Sequence, residues 1–351
     1  MKKTAMFAVA MAAFHLSAAV RTVATGETIV VTDADIASYA DGFSFADATG
    51  VIEFNTSSAP TMNISGAGTV KKTSSSDWTM TKEIGQFTGT YILEGGGIAT
   101  VNQNKSTFFG LSASGSPGPL FIKAGNTLDI VNTDAWDYLF QNRAVHIAGT
   151  GKGGIGAIRT LYAAKAMSSE FGQLILDDDA TINLVAKQWF YMNNGNGRLC
   201  SSNDTVRTLT IIGNGELQVS GNYKVSTNVS IRATGSSTFT VRDNRTQHDM
   251  IAMDSGTTGP VVLEGSATYN IYNFISDVFP YTNRATFAID RPLTVKGSSA
   301  NIFLQSYYSV KDDLSVKLDR TRSDINNISG NIVLSGSSSC PAAYPAPANC
   351  P

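Results

Sequence analysis

The sequence predicts an all-β chain wound as a right-handed parallel β-helix, one elongated domain, and three observations carry that prediction. The stretch from Gly66 to Gly96, "GAGTVKKTSSSDWTMTKEIGQFTGTYILEGG", alternates apolar and polar residues and breaks only at glycines, so one face of each short strand meets a core. Charged residues make up only 15% of the 351 residues, against 32 glycines and an excess of Ser, Thr and Asn. Uncharged polar side chains pack in ladders, and glycine takes the corners. A long β chain with so few charged residues along its strands must also hide its strand edges. Stacked rungs do this everywhere but at the two ends.

Residues 1–19 read as a secretory signal peptide. Lys2 and Lys3 form a basic start, an apolar run follows from Thr4 to Leu16, and Ser17 and Ala19 suit a cleavage pocket. Thr22 and Ala24 offer a second cleavage position. The apolar run is shorter than the roughly 20 residues of a membrane span, and no later stretch is apolar enough for one, so the mature chain is expected to lack a transmembrane segment. Loss of Lys2 and Lys3 takes the formal balance from 26 basic and 28 acidic residues to a mature charge of −4. No basic patch is evident, which argues against nucleic acid as a partner.

The expected solenoid covers residues 20–336. Its recurring unit is a short alternation, a polar or glycine corner, and a second alternation. It appears as "FIKAGNTLDIVN" from Phe121, "LILDDDATINLV" from Leu174, "LTIIGNGELQVSG" from Leu209, "VSIRATGSSTFTVRD" from Val229, "VVLEGSATYNIYN" from Val261 and "LTVKGSSANIFLQ" from Leu293. The starts are unevenly spaced, compatible with rungs of about 20 residues carrying loops of varied length. That predicts roughly 15 rungs at ~4.8 Å spacing, a rod near 70 Å long. Each unit could instead be a hairpin. Asn214-Gly215 favours a hairpin locally, but "LILDDDATINL" and "VVLEGSATYNI" carry no two-residue turn signal. Edge protection decides for the β-helix.

Residues 337–351 form a Ser/Pro-rich tail in which Cys340 and Cys350 bracket "CPAAYPAPANC". A bond between them would be worth about 3 kcal/mol if the loop ends belong to the fold. Cys200 stands alone and reads as a small buried apolar residue.

The stretch Ser44 to Ile98 resembles the autotransporter-associated β-strand repeat, also called the passenger-associated transport repeat. Gly66, Gly68, Val70 and Lys72 fit its start, with Lys71 at the stricter position. Phe87, Gly89, Tyr91, Ile92 and the run Gly95 to Gly97 fit its return. "TSSSDW" departs from the glycine usual there. "HIAGTGKGGIGAIRT" with "LILDDDATINL" looks like a degenerate second copy, over roughly Ala144 to Val185. The resemblance implies a parallel β-helix of the exported-passenger kind, bacterial, at the cell surface, associated with the outer membrane or secreted. Such a passenger is usually followed by a membrane barrel of strands of about 10 residues. This sequence ends "LSGSSSCPAAYPAPANCP" instead, so the expectation is a passenger-like protein that is free, dependent on another exporter, or part of a longer reading frame.

Several residue sets invite a chemical reading. Gly149, Gly151 and Gly154 satisfy G-x-G-x-x-G, and Asp177 follows the next strand, as a dinucleotide site requires. The set sits alone in a β chain, so a glycine-rich solenoid corner is the stronger reading. Asp177, Asp178 and Asp179 cannot converge on calcium from one extended strand and read as a polar corner. His146 and His248 lie far apart and read as surface or packed residues. Arg242, Asp243, Arg245, His248 and Asp249 are the nearest approach to the charged cluster of a polysaccharide-cleaving site, but a charged loop explains them as well. The aromatics of "QWFYM" and those from Tyr269 to Phe287, Tyr272 and Tyr281 included, could stack sugars on an outer face. An interior aromatic ladder is the stronger reading. The expectation is an exported, non-enzymatic, adhesin-like structural protein with no catalytic, cofactor or metal residues. Its expected partners are cell-surface glycans or the extracellular matrix or host surface; the alternative is a carbohydrate-active or carbohydrate-binding β-helix.

Overall fold

The computed structural model describes residues 19–335 apart from 83, 103–108, 110–116, 132–136, 162–168, 186–188, 193–197, 221–223, 227, 244–260, 274–285, 290–292, 297–300, 307–314 and 319–330. Among the described residues every strand pairing is parallel, and no α-helix occurs. Parallel pairing between residues close in sequence requires the chain to return to the same side after each turn. A solenoid does that, and the chain is a parallel β-helix.

Three long stacks of strands run along it. The first contains Thr28–Thr32, Val51–Asn55, Thr69–Lys72, Thr90–Leu93, Leu120–Ile122, Asp137–Gly149, Ser169–Leu184, Arg198–Ser201 and Lys224–Val225. The second runs from Trp78–Met80 through Ile98–Asn102, Thr127–Val131 and Ile158–Thr160 to Ser169–Leu184. It continues through Arg207–Gly213, Val229–Ala233 and Val261–Glu264 to Leu293–Lys296. The Ser169–Leu184 strand serves both stacks. A third begins at Trp189–Met192 and passes through Glu216–Ser220, Thr238–Asp243, Thr268–Asn273 and Asn301–Ser306 to Asn331–Ser335. A short N-terminal stack joins Arg21–Val23, Phe43–Phe45 and Ile64–Ser65.

Alternation gives each rung its inward residues. Position by position, Ile29, Ile52, Val70, Tyr91, Leu120, Val145, Leu174, Leu199 and Val225 form one unbroken register, and all are buried. The second stack adds Trp78, Ala99, Leu128, Ile158, Ile182, Ile211, Ala233 and Leu263. Bulky Trp78 faces small Ala99, so volume is conserved between neighbouring rungs. Leu217, Phe239 and Tyr269 continue the interior in the third stack, with the last two rings stacked at 5.3 Å. A buried side chain of this size contributes about 1.5–3 kcal/mol, and these positions hold the rungs in register.

Two expectations are corrected. Register mates are 18 residues apart at Val51 and Thr69 and 33 apart at Thr268 and Asn301, so the loops carried by the rungs vary widely in length. The described strands make about twelve rungs rather than 15, or about 53 Å at the usual spacing. Asn214-Gly215 makes no hairpin. Arg207–Gly213 and Glu216–Ser220 do not pair with each other, and the N–H groups of Asn214 and Gly215 both donate to the Leu184 carbonyl one rung away, at 3.0 and 2.9 Å. The uneven spacing of the sequence units has the same origin. Those starting at Phe121 and Leu174 turn the corner between the first and second stacks, and the other four turn the corner between the second and third.

The stretch from Gly66 to Gly97 is also placed. Gly66 bridges Phe87, and Val70 and Lys72 are register mates of Tyr91 and Leu93. The start and return of that motif are therefore successive rungs of one stack. Close approach explains Gly89, where an added Cβ would lie 1.9 Å from the Gly68 carbonyl oxygen.

Candidate functional site

Because the interior is largely apolar, with Lys72 a buried exception, chemistry is sought among outward side chains, and register decides which of them meet. On the first stack the outward positions Phe121, His146, Ile175 and Cys200 follow one another rung by rung. The Phe121 ring stacks on His146 with centroids 4.2 Å apart, and the Lys123 ammonium lies 4.8 Å from the Phe121 centroid. His146 Nδ1 is 2.8 Å from Asp177 Oδ1, and Lys123 Nζ is 3.8 Å from the other Asp177 oxygen. Sequence reading treated His146 and Asp177 as unrelated, yet the fold makes them a pair 31 residues apart. Only the register, which the alternation alone does not number, could have shown it. A carboxylate holding an imidazole is half of a nucleophile-activating arrangement. The position one rung beyond His146 is Ile175, which supplies no nucleophile.

Asp177, Asp178 and Asp179 occupy the corner at which Ser169–Leu184 changes stack, and they diverge as the alternation requires. Asp177 takes His146. Asp178 takes Arg207 Nη1 at 2.6 Å, and Asp179 accepts the Thr208 N–H at 2.8 Å.

The glycines of "GTGKGG" form the corner between Asp137–Gly149 and Ile158–Thr160, with one 3-10 turn at Lys152–Gly154. A strand follows rather than a helix, so no helix N-terminus faces a pyrophosphate. Gly151 has φ +79°, and a Cβ there would lie 2.0 Å from the Gly156 carbonyl oxygen. Lys152 reaches from this corner to Asp77, 2.6 Å away across two rungs.

On the second stack a groove of about 450 Å³ opens on the outer face. Its floor has two rows. Thr181, Thr210, Arg232 and Val262 are successive register mates, and beside them Thr208 pairs with Ser230, with Asp179 above. Thr181 is only 7% exposed. Among the described residues the hydroxyls of Thr181, Thr208 and Thr210 have no hydrogen-bond partner. At one end Arg232 donates from Nε and Nη2 to Glu264 Oε2, at 3.1 and 2.6 Å. No sequence signal marked this groove, because its residues come from four strands.

Tyr269 points into the interior, as the ladder reading expects. Cys200 is not interior: it is half-buried on the outer row, and burial raises its thiol pKa. Arg242 and Asp243 end the Thr238–Asp243 strand. Arg245, His248, Asp249, Tyr281, Cys340, Cys350 and residues 1–18 lie outside the described residues, as do the side chains of "QWFYM" and Tyr272. Among the described residues no group of His, Cys, Asp and Glu could hold a metal ion.

No protein-family model, curated protein or solved structure matches the chain.

Proposed function

We propose that the chain is an exported β-solenoid, displayed at a cell surface or secreted, that acts as a structural or adhesin-like rod and performs no catalysis. One observation carries this reading: the outward charges are used between rungs. Glu53, Lys71 and Glu94 form a vertical set on three rungs, with Lys71 Nζ 2.9 and 3.8 Å from the two carboxylates. Asp129 and Arg159 pair across one interface, Asp178 and Arg207 across another, and Arg232 and Glu264 across a third. Each pair spends its charge on a neighbouring rung instead of converging on a substrate. The signal-peptide pattern of residues 1–19 supports export.

The second reading is a carbohydrate-binding β-helix, favoured by the hydroxyl-lined groove of the second stack.

The test expresses the full chain in a bacterial host and sequences the N-terminus of protein released from, or protease-accessible on, intact cells. Val20 or Thr25 is expected as the first residue. Intact Met1 on wholly intracellular material would overturn the export reading. Reproducible cleavage of any member of a uronic-acid and neutral polysaccharide panel, abolished by Asp243→Ala or His248→Ala, would overturn the non-enzymatic reading.

A further inference from the structure

We propose that the groove on the second stack is a binding site for a short neutral oligosaccharide. The proposal rests on the surface-recognition reading above and deepens it. Four rungs contribute to the floor, through Thr181, Thr210, Arg232 and Val262 in register. Three rung spacings of ~4.8 Å make a track about 14 Å long, the length of a di- or trisaccharide. Its volume of about 450 Å³ lies in the range of small-ligand sites.

The chemistry of the lining selects the ligand. Thr181 is buried to more than nine-tenths and lines the groove, and among the described residues its hydroxyl has no hydrogen-bond partner. That hydroxyl is not sealed from solvent, so a ligand hydroxyl can take the place of water against it. Thr208 and Thr210 add half-buried hydroxyls at the next rung. Asp179 and Glu264 supply carboxylate acceptors at opposite ends, and Arg232 is already engaged by Glu264. The formal charge of the described lining is therefore negative, with its cation neutralised. An anionic glycan would meet two carboxylates, whereas a neutral polyol can donate to both and exchange hydrogen bonds with the threonines. An added peptide strand is disfavoured, because the backbone groups of these strands are already used in the parallel ladders on both sides.

The purified chain is titrated with neutral malto-, cello-, manno- and xylo-oligosaccharides, with a uronic-acid trimer as the charged comparison, and read by calorimetry or ligand-observed NMR. Binding of at least one neutral series is expected, with the uronic-acid trimer weaker. Thr181→Val with Thr210→Val removes two unpaired hydroxyls at nearly unchanged shape, and should weaken that binding about tenfold while leaving thermal unfolding unchanged. Glu53→Gln, on the first stack, should bind like the parent. If the double variant fails to fold, Thr208→Val and Thr210→Val provide the same comparison singly. The proposal is overturned if no neutral oligosaccharide binds at concentrations on the order of 10 mM, or if the variants bind as the parent does. Surface display and adhesion that survive in Thr181→Val/Thr210→Val would leave the exported-rod reading standing while removing the groove from it.

Discussion

The Lys72 ammonium stands 5.1 Å from the centroid of the Trp78 ring, inside the stack, at a register position whose neighbours are Phe54 and Leu93. Lys72 is fully buried, and its Nζ donates to the Ser74 carbonyl at 2.5 Å. Desolvation lowers its pKa from 10.5 to about 8, only partly opposed by Asp77. Lys71, one position earlier, points outward and is held protonated by Glu53. Of two adjacent lysines, alternation sends one into solvent and one into the core.

A pH dependence follows from that burial. The folded pKa lies below the unfolded one, so between about pH 8 and 10.5 the unfolded chain binds more protons. Stability therefore rises with pH across this window, and the cost is fully present below pH 8. The gain is about 3 kcal/mol at most. Urea unfolding of the parent and of Lys72→Met should show the parent gaining on the variant between pH 7.5 and 9.5. Parallel curves would remove the claim. At neutral pH Lys72→Met should be the more stable protein, because a methionine fills the same space without a charge.

Tyr91 is fully buried, stacks edge-on against Phe109 at 5.0 Å, and among the described residues its hydroxyl has no hydrogen-bond partner. Burial raises its pKa. Tyr91→Phe should stabilise the fold by about 1 kcal/mol, measured as a shift of the denaturant midpoint at unchanged slope. Destabilisation of that size would mean the hydroxyl is satisfied.

Asp129 is buried to all but 3% of its side chain and takes two hydrogen bonds from Arg159, at 2.8 and 2.5 Å. Arg159→Leu should cost about 3 kcal/mol by stranding a buried carboxylate. Adding Asp129→Asn should recover more than half of that loss. Additive effects in this double-mutant cycle would show that the pair is not coupled.

Ile211 lies between Ile182 and Ala233 and has no exposed surface. Ile211→Asp buries an unpaired charge and should open the neighbouring rungs first, since the core of each rung packs on its neighbours. Hydrogen exchange should show lost protection at Ile182 and Ala233 before loss at Ile52. Uniform loss along the chain would indicate a single cooperative unit.

Asp177→Ala removes the partner of both His146 and Lys123. These side chains are partly exposed, so the cost should stay under about 1 kcal/mol. A loss of several kcal/mol in chemical denaturation would show that the cluster is a buried network.

The sequence by itself determined the strand faces. Period-2 alternation placed Val70, Tyr91, Leu174, Ile211 and Phe239 inward, because a strand has only two sides, and low charge with exposed-edge avoidance selected the stacked form. The corners at Gly151 and at Asp177 to Asp179 were legible for the same reason: glycine and clustered polar residues have nowhere else to go. Only the tertiary structure decided register. Loops of unequal length make rung lengths range from 18 to 33 residues, so no local pattern tells which residue lies above which. That decision joined His146 to Asp177, aligned Thr181 with Thr210 and Arg232, and turned Asn214-Gly215 into a corner. Alternation is a property of one strand, whereas register is a property of two, fixed by the collective fit of every rung in the core.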